Sequence, residues 1–135
     1  MSHAVPTKRI LIVEGSDYRF ELAEHFQTLG WRVSDGKNLK AAIDAALADQ
    51  PHVIVTDLAL EDTHGYQFAR SLRSVVDHDV LVIGLSDIGE AANEEARRSG
   101  FDAVFAKPID PARLQYAVET GDEMKLTTKL PRLDR

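Results

Sequence analysis

The sequence contains no cysteine, and none of its apolar runs is long enough to cross a membrane. The absence of cysteine excludes disulfide bonds, thiolate metal sites and cysteine nucleophiles. A membrane-spanning helix needs roughly 20 apolar residues, and no stretch approaches that length. Residues 1–6 also lack the apolar core of a signal peptide. We therefore expect a cytoplasmic protein with no membrane partner.

Basic residues are in the minority. The chain has 16 Lys and Arg against 22 Asp and Glu, which gives a net charge of −6 at pH 7. Because nonspecific nucleic-acid binding depends on a basic surface, we expect no direct contact with nucleic acid. A length of 135 residues with 44% hydrophobic content favours one globular domain, and the composition leaves protein partners open.

Short apolar runs alternate along the chain with segments of helical spacing. Residues 10–13 and 53–55 are typical of buried strands, residues 80–85 and 103–106 indicate a fourth and a short fifth strand, and residues 31–34 alternate and indicate an edge strand. Between them lie helix signals such as the cap residue Asn38, the terminating Gly30 and Gly100, and the pair Asp110-Pro111. This alternation predicts an α/β fold with a parallel sheet and helices on both faces.

The pattern also predicts where the domain begins and ends. We expect a leader at residues 1–7, a single domain at residues 8–120 and a C-terminal tail at residues 121–135, which shows no clear period. A polar helix is predicted from Glu90 to Ser99.

Four polar residues follow four of the predicted strands: Glu14, Asp57, Ser86 and Lys107. Parallel topology brings the carboxyl ends of strands, and hence these residues, to one edge of the sheet. Two neighbouring carboxylates favour a cation between them, such as Mg²⁺, and a lysine with a hydroxyl suits phosphoryl oxygens. A carboxylate can itself accept a phosphoryl group as an aspartyl phosphate.

The order of elements and these strand ends resemble the receiver domain of bacterial two-component response regulators. The residues that carry the resemblance are the acidic end of the first strand, Asp57 with Gly65 after it, Ser86, and the pair Lys107-Pro108. It covers about residues 8 to 120. It implies a flavodoxin-like, doubly wound, five-stranded parallel sheet in the order 2-1-3-4-5, with a cis peptide between Lys107 and Pro108.

The resemblance also implies roles for single residues. Asp57 would be the phosphoacceptor, Lys107 the cation that contacts the phosphate, and Ser86 the switch hydroxyl. Glu14, Asp57 and the backbone carbonyl of Ala59 would hold Mg²⁺. The implied partners are a sensor histidine kinase or phosphotransfer protein as donor, and a downstream protein as target. The resemblance therefore implies a phosphoacceptor signalling domain rather than an enzyme.

Of the positions that depart from the family pattern, Gly15 and Asp87 bear most directly on function. Gly15 stands where receivers usually carry the acidic residue that binds the metal directly, and Asp87 stands where a small residue is usual. Glu14 could instead form a salt bridge with Lys107, and Ser86 could be an ordinary turn residue. Two functions therefore stay open: a stand-alone phosphoacceptor in a phosphorelay, or a phosphorylation-independent pseudo-receiver that serves as a constitutive interaction or dimerisation module.

Overall fold

Five parallel strands form one sheet at the centre of the molecule. The computed structural model describes residues 8–63, 66–88 and 93–127. The strands are β1 (Arg9–Val13), β2 (Arg32–Gly36), β3 (Val53–Asp57), β4 (Leu81–Ser86) and β5 (Ala103–Ala106). Their order, β2-β1-β3-β4-β5, confirms the doubly wound topology, and β2 lies at an edge of the sheet as predicted.

Each strand is followed by a helix. The helices are α1 (Tyr18–Thr28), α2 (Leu39–Asp49), α3 (Phe68–Ser74), α4 (Asn93–Arg98) and α5 (Pro111–Thr127). The predicted cap of α2 is confirmed, because the Asn38 side chain accepts a hydrogen bond from the Ala41 N–H at 2.9 Å. The predicted helix start at Glu90 and the loop residue Gly65 lie outside the described residues. Among the helices that the structure describes, none has the length and apolar character needed to cross a membrane.

Two apolar layers enclose the sheet. One layer contains Leu11 and Ile54 and packs against α2, α3 and α4. The other contains Ile12 and Val55 and packs against α1 and α5. All five residues of β3 are buried because this strand lies at the centre of the sheet with both faces covered. The central strand therefore ends in a protected environment, and its last residue is Asp57.

The expected tail is corrected at residues 121–127, where α5 continues as far as Thr127. A glycine after a helical stretch is typical of a helix end, which is why the sequence favoured a stop at Gly121. In the structure Gly121 lies within the helix. A Cβ atom there would come 3.2 Å from Cδ2 of Leu81, so the glycine permits close packing of α5 against β4. Residues 1–7 and 128–135 lie outside the described part.

Candidate functional site

Three charged side chains, the buried Glu14 and Asp57 and the partly buried Lys107, meet at the carboxyl ends of β1, β3 and β5. The ammonium group of Lys107 donates hydrogen bonds to Glu14 Oε2 at 2.9 Å and to Asp57 Oδ2 at 3.0 Å. Glu14 is 2% exposed and Asp57 is 7% exposed. The convergence predicted from the topology is thus present for these residues, and so is the salt bridge between Glu14 and Lys107.

The other oxygen of each carboxylate is also engaged. Glu14 Oε1 accepts hydrogen bonds from the Ser16 N–H at 2.8 Å and from the Ser16 hydroxyl at 2.6 Å. Asp57 Oδ1 accepts a hydrogen bond from the Ala59 N–H at 3.0 Å. Four oxygens therefore hold fixed positions, as hydrogen-bonded buried carboxylates do.

The environment shifts the proton affinities of all three groups. Burial raises the pKa of the Asp57 carboxyl, and the bonds from Ala59 and Lys107 offset that rise only in part. Burial also acts to raise the pKa of Glu14, but the hydrogen bonds from Lys107 and Ser16 outweigh it, and its pKa is lowered. For Lys107, burial favours the neutral amine, yet the bonds to the two carboxylates raise its pKa well above the ordinary value. Lys107 is therefore a firmly charged cation.

Ser86 ends β4 beside Asp57 and is buried. Its backbone carbonyl accepts a hydrogen bond from the Lys107 N–H at 2.9 Å, which aligns the two strand ends. Its hydroxyl accepts a hydrogen bond from the Ile88 N–H at 3.1 Å. In this conformation the Ser86 side chain holds the turn after β4, which is the local role that its sequence position also allowed.

Asp87 adds a third carboxylate at the open side of the cluster. Its side chain is 74% exposed, and Oδ1 lies 3.7 Å from Lys107 Nζ. The ammonium group therefore faces three carboxylates, of which two are buried and one is in contact with solvent. A negative charge at this place opposes the approach of an anionic group.

Comparison with known proteins agrees with this geometry. The sequence profile of the response regulator receiver domain matches residues 10–119 of the chain. The chain belongs to this family. A curated relative, the uncharacterized 14.6 kDa protein in sodA1 3'region of Leptolyngbya boryana, is 28% identical over 82% of this chain and 86% of that protein. The transcriptional regulatory protein YxdJ of Bacillus subtilis is also 28% identical, over 75% of this chain but only 44% of that protein.

Solved structures of response regulators share the fold of this receiver domain. A two-component response regulator from Clostridium difficile superposes with a TM-score of 0.77 at 20% identity, over 89% of this chain and 98% of that one. A response regulator from Burkholderia pseudomallei superposes with a TM-score of 0.76 at 22% identity, over 91% of this chain and 73% of that one. The crystals of the second protein contain a phosphorylated aspartic acid, a calcium ion and citrate.

Receiver domains commonly bind Mg²⁺, which makes the donor set of this one informative. Gly15 supplies no side-chain oxygen, and the four oxygens of Glu14 and Asp57 already accept hydrogen bonds. Across the described residues, no group of three or more His, Asp or Glu side chains is placed to hold a metal. Glu14 and Asp57, which the sequence led us to expect as metal ligands together with the Ala59 carbonyl, are bridged here by the Lys107 ammonium group, so their arrangement suits this cation better than a divalent one.

Tyr18, the first residue of α1, stabilises the receiver site through two hydrogen bonds to Ile109. Its hydroxyl donates a hydrogen bond to the Ile109 carbonyl at 2.5 Å and accepts one from the Ile109 N–H at 2.6 Å. This ties the start of α1 to the turn after Lys107 and Pro108, whose peptide bond is cis as the resemblance implied. No local pattern predicts the contact because its partners lie 91 residues apart.

Arg19 stabilises the loop after β1 through hydrogen bonds and an ion pair. Its guanidinium donates hydrogen bonds to the Ser16 carbonyl at 3.0 Å and the Glu14 carbonyl at 3.4 Å, and it pairs with Asp35 at 3.1 Å. The loop that supplies Glu14 to the receiver site is thus held by a cation of the protein itself. An arginine in the first turn of an amphipathic helix gave no signal of this role.

Proposed function

We propose that Asp57 of this receiver domain accepts a phosphoryl group in a phosphorelay, and that the chain then signals through contact with a protein partner. The observation that supports this function is the position of Asp57 at the end of the central strand, 3.0 Å from the charged amine of Lys107. The role is that of a phosphoacceptor signalling domain in the cytoplasm, and a sensor histidine kinase or a phosphotransfer protein is the donor.

The proposed chemistry uses groups already in place. One Asp57 oxygen attacks the phosphorus atom of a phosphohistidine, so a bond from oxygen to phosphorus forms while the bond from nitrogen to phosphorus breaks. The released imidazole retains the electron pair and takes a proton from solvent. Lys107 neutralises the charge on the phosphoryl oxygens, and the Ala59 N–H donates to the same carboxyl group.

Ser86 responds to the new group in this proposal. Its hydroxyl, which accepts a hydrogen bond from the Ile88 N–H, still has its own proton to donate. A bond from this proton to a phosphoryl oxygen would draw the turn after β4 toward Asp57. Such a movement of a loop, driven by a phosphoryl group, is a common form of switching. The phosphorylated aspartic acid in the Burkholderia pseudomallei response regulator, which has the same fold, supports the assignment of Asp57 as the acceptor.

Intact-mass measurement after incubation with acetyl phosphate and Mg²⁺ tests the proposal. We expect the parent chain to gain the mass of one phosphoryl group and Asp57→Asn to gain none. The control Asp87→Asn removes a neighbouring carboxylate and should still be labelled, because Asp87 is exposed and is not the acceptor. If the parent gains no mass from acetyl phosphate or from a histidine kinase, the proposal is wrong.

Asp87 and Gly15 favour a second candidate, a pseudo-receiver that binds a protein partner or a second copy of itself without phosphate. A carboxylate 3.7 Å from Lys107 Nζ competes with a phosphoryl group for that cation. The two functions make different predictions for a partner captured with the parent chain. Asp57→Asn weakens capture if the phosphoryl group controls binding, and leaves it unchanged if the surface is constitutive.

A further inference from the structure

We propose that the ammonium group of Lys107 is the resident cation of this site, in the place that a divalent metal would take between Glu14 and Asp57. The proposal concerns the chain before phosphorylation. It therefore stands apart from the proposed function, and it can be tested whether or not Asp57 accepts a phosphoryl group.

The first observation is the position of the ammonium group. Lys107 Nζ lies 2.9 Å from Glu14 Oε2 and 3.0 Å from Asp57 Oδ2, so one cation already bridges the two buried carboxylates. The lysine side chain is only 14% exposed. A metal that used the same two oxygens would have to displace this partly buried ammonium group from both of its buried partners.

The second observation is that the oxygens facing away from Lys107 are occupied. Ser16 donates two hydrogen bonds to Glu14 Oε1, and the Ala59 N–H donates one to Asp57 Oδ1. The carbonyls of Glu14 and Ser16 accept from Arg19. Glu14 Oε1 thus has no lone pair left for a metal ion, and a metal at Asp57 Oδ1 would have to share that oxygen with the Ala59 N–H.

The third observation is the missing ligand at position 15. Gly15 brings no carboxylate to the site, and the affinity of oxygen sites for divalent cations depends on how many charged ligands they offer. The backbone at this position tolerates a Cβ atom, which would lie 3.7 Å from the Lys37 carbonyl, an ordinary contact distance. Position 15 therefore lacks a charged ligand although its backbone tolerates a side chain.

Titration with Mg²⁺, followed by calorimetry and by the change in melting temperature, tests the proposal on unphosphorylated protein. We expect the parent to bind Mg²⁺ weakly, and Lys107→Met to bind it on the order of tenfold more tightly, because its two buried carboxylates then need another cation. Gly15→Asp should also bind more tightly than the parent. Its matched control, Gly15→Asn, has the same size without the charge and should behave as the parent does.

A parent that binds Mg²⁺ as tightly as Gly15→Asp overturns the proposal. So does a folded Lys107→Met that binds Mg²⁺ no better than the parent. Circular dichroism establishes whether Lys107→Met folds. If it folds only when Mg²⁺ is added, the metal has replaced the ammonium group and the proposal is supported. If Lys107→Met does not fold with or without Mg²⁺, Lys107→Gln is used in its place. Tighter Mg²⁺ binding than the parent then supports the proposal, and binding no better than the parent overturns it.

The metal titration and the mass measurement test the two proposals independently. An absence of phosphoryl label leaves the titration result unaffected, because that result concerns the carboxylates and Lys107 alone. Conversely, tight Mg²⁺ binding by the parent contradicts the resident-cation proposal while leaving Asp57 as the proposed acceptor.

Discussion

Glu14 and Asp57 contact the same ammonium group, yet their pKa values shift in opposite directions. Both are buried, and burial raises the pKa of a carboxyl group. Glu14 also accepts two hydrogen bonds from Ser16, which stabilise its charged form, whereas Asp57 accepts one backbone bond. At the scale of single residues, the site therefore keeps Glu14 firmly ionised and leaves Asp57 as the carboxylate whose charge is less well stabilised.

This difference predicts opposite pH dependences for two neutral variants. The folded state holds the Asp57 proton more tightly than the unfolded chain does, so the parent loses stability as pH rises above about 3.8 toward the raised pKa. Asp57→Asn lacks that loss. Its free energy of unfolding, measured by urea denaturation and taken relative to the parent, should therefore increase across this interval and then stay constant.

Glu14→Gln is the matched control. The lowered pKa of Glu14 gives the parent a stabilisation that is present above the ordinary value of 4.5 and is lost as pH falls through the folded pKa. The free energy of unfolding of Glu14→Gln, taken relative to the parent, should therefore fall as pH rises from the lowered pKa of Glu14 to 4.5. If the relative free energies of unfolding of both variants changed in the same direction with pH, the opposite pKa shifts assigned to Asp57 and Glu14 would be contradicted.

Two glycines differ in what surrounds them. A Cβ atom on Gly84 would come 2.7 Å from Leu58 Cδ2 and 3.1 Å from the Phe101 ring, whereas one on Gly15 would meet nothing closer than 3.7 Å. We expect Gly84→Ala to lower the free energy of unfolding by about 1–3 kcal/mol through overpacking. Gly15→Ala should change it by less than about 0.5 kcal/mol. Chemical denaturation measures both, and equal effects would contradict the packing described here.

At the scale of elements, the loop after β3 is fastened to the start of α2. The Asp62 carboxylate accepts hydrogen bonds from the Leu39 N–H at 2.8 Å and the Lys40 N–H at 3.1 Å, and these bonds lower its pKa. Asn38 caps the next amide, that of Ala41. Two residues therefore cap the start of α2: Asn38, which directly precedes the helix, and Asp62, which belongs to the loop after Asp57.

Amide hydrogen exchange can separate these two caps. Asp62→Ala should speed the exchange of the Leu39 and Lys40 amides and leave the Ala41 amide protected. Asn38→Ala should do the reverse, and it should lower the free energy of unfolding by about 1 kcal/mol, as the loss of a helix cap typically does. If Asp62→Ala leaves all three amides unchanged, the loop is not held by α2.

Elements set by local sequence were predictable, and those set by distant partners were not. The strands, the Asn38 cap and the helix ends at Gly30 and Gly100, where φ is 93° and 111°, depend on neighbouring residues and were predicted. The close packing of α5 at Gly121 involves the side chain of Leu81, and the Asp62 carboxylate bonds to a helix more than 20 residues away. Neither partner can be inferred from a local pattern.

At the scale of the whole molecule, the sheet separates two apolar layers that do not share side chains. Leu72 of α3 belongs to one layer and Leu114 of α5 to the other, and both are fully buried. Truncation to alanine should cost about 2–5 kcal/mol at each position. Because the two cavities lie on opposite faces, the double variant should equal the sum of the single variants within about 0.5 kcal/mol. A larger coupling would show that strain passes through the sheet.

The topology also explains how much of the site could be predicted. Parallel strands bring their carboxyl ends to one edge, and this was enough to bring together Glu14, Asp57 and Lys107 on the basis of sequence. The pairing of their individual oxygens, and the bond between the Ser86 hydroxyl and the Ile88 N–H, depend on loop conformations that periodicity does not specify. The sequence therefore predicted the members of the site but not which bonds they make.

The most direct test of the central proposal is to locate the phosphoryl group. Chains incubated with acetyl phosphate are treated with borohydride, which reduces an aspartyl phosphate to homoserine, and the peptides are sequenced by mass spectrometry. Phosphorylation of Asp57 predicts homoserine at position 57 in the treated parent and none in the parent without acetyl phosphate. Homoserine at another position, or at none, would contradict the assignment of Asp57 as the phosphoacceptor.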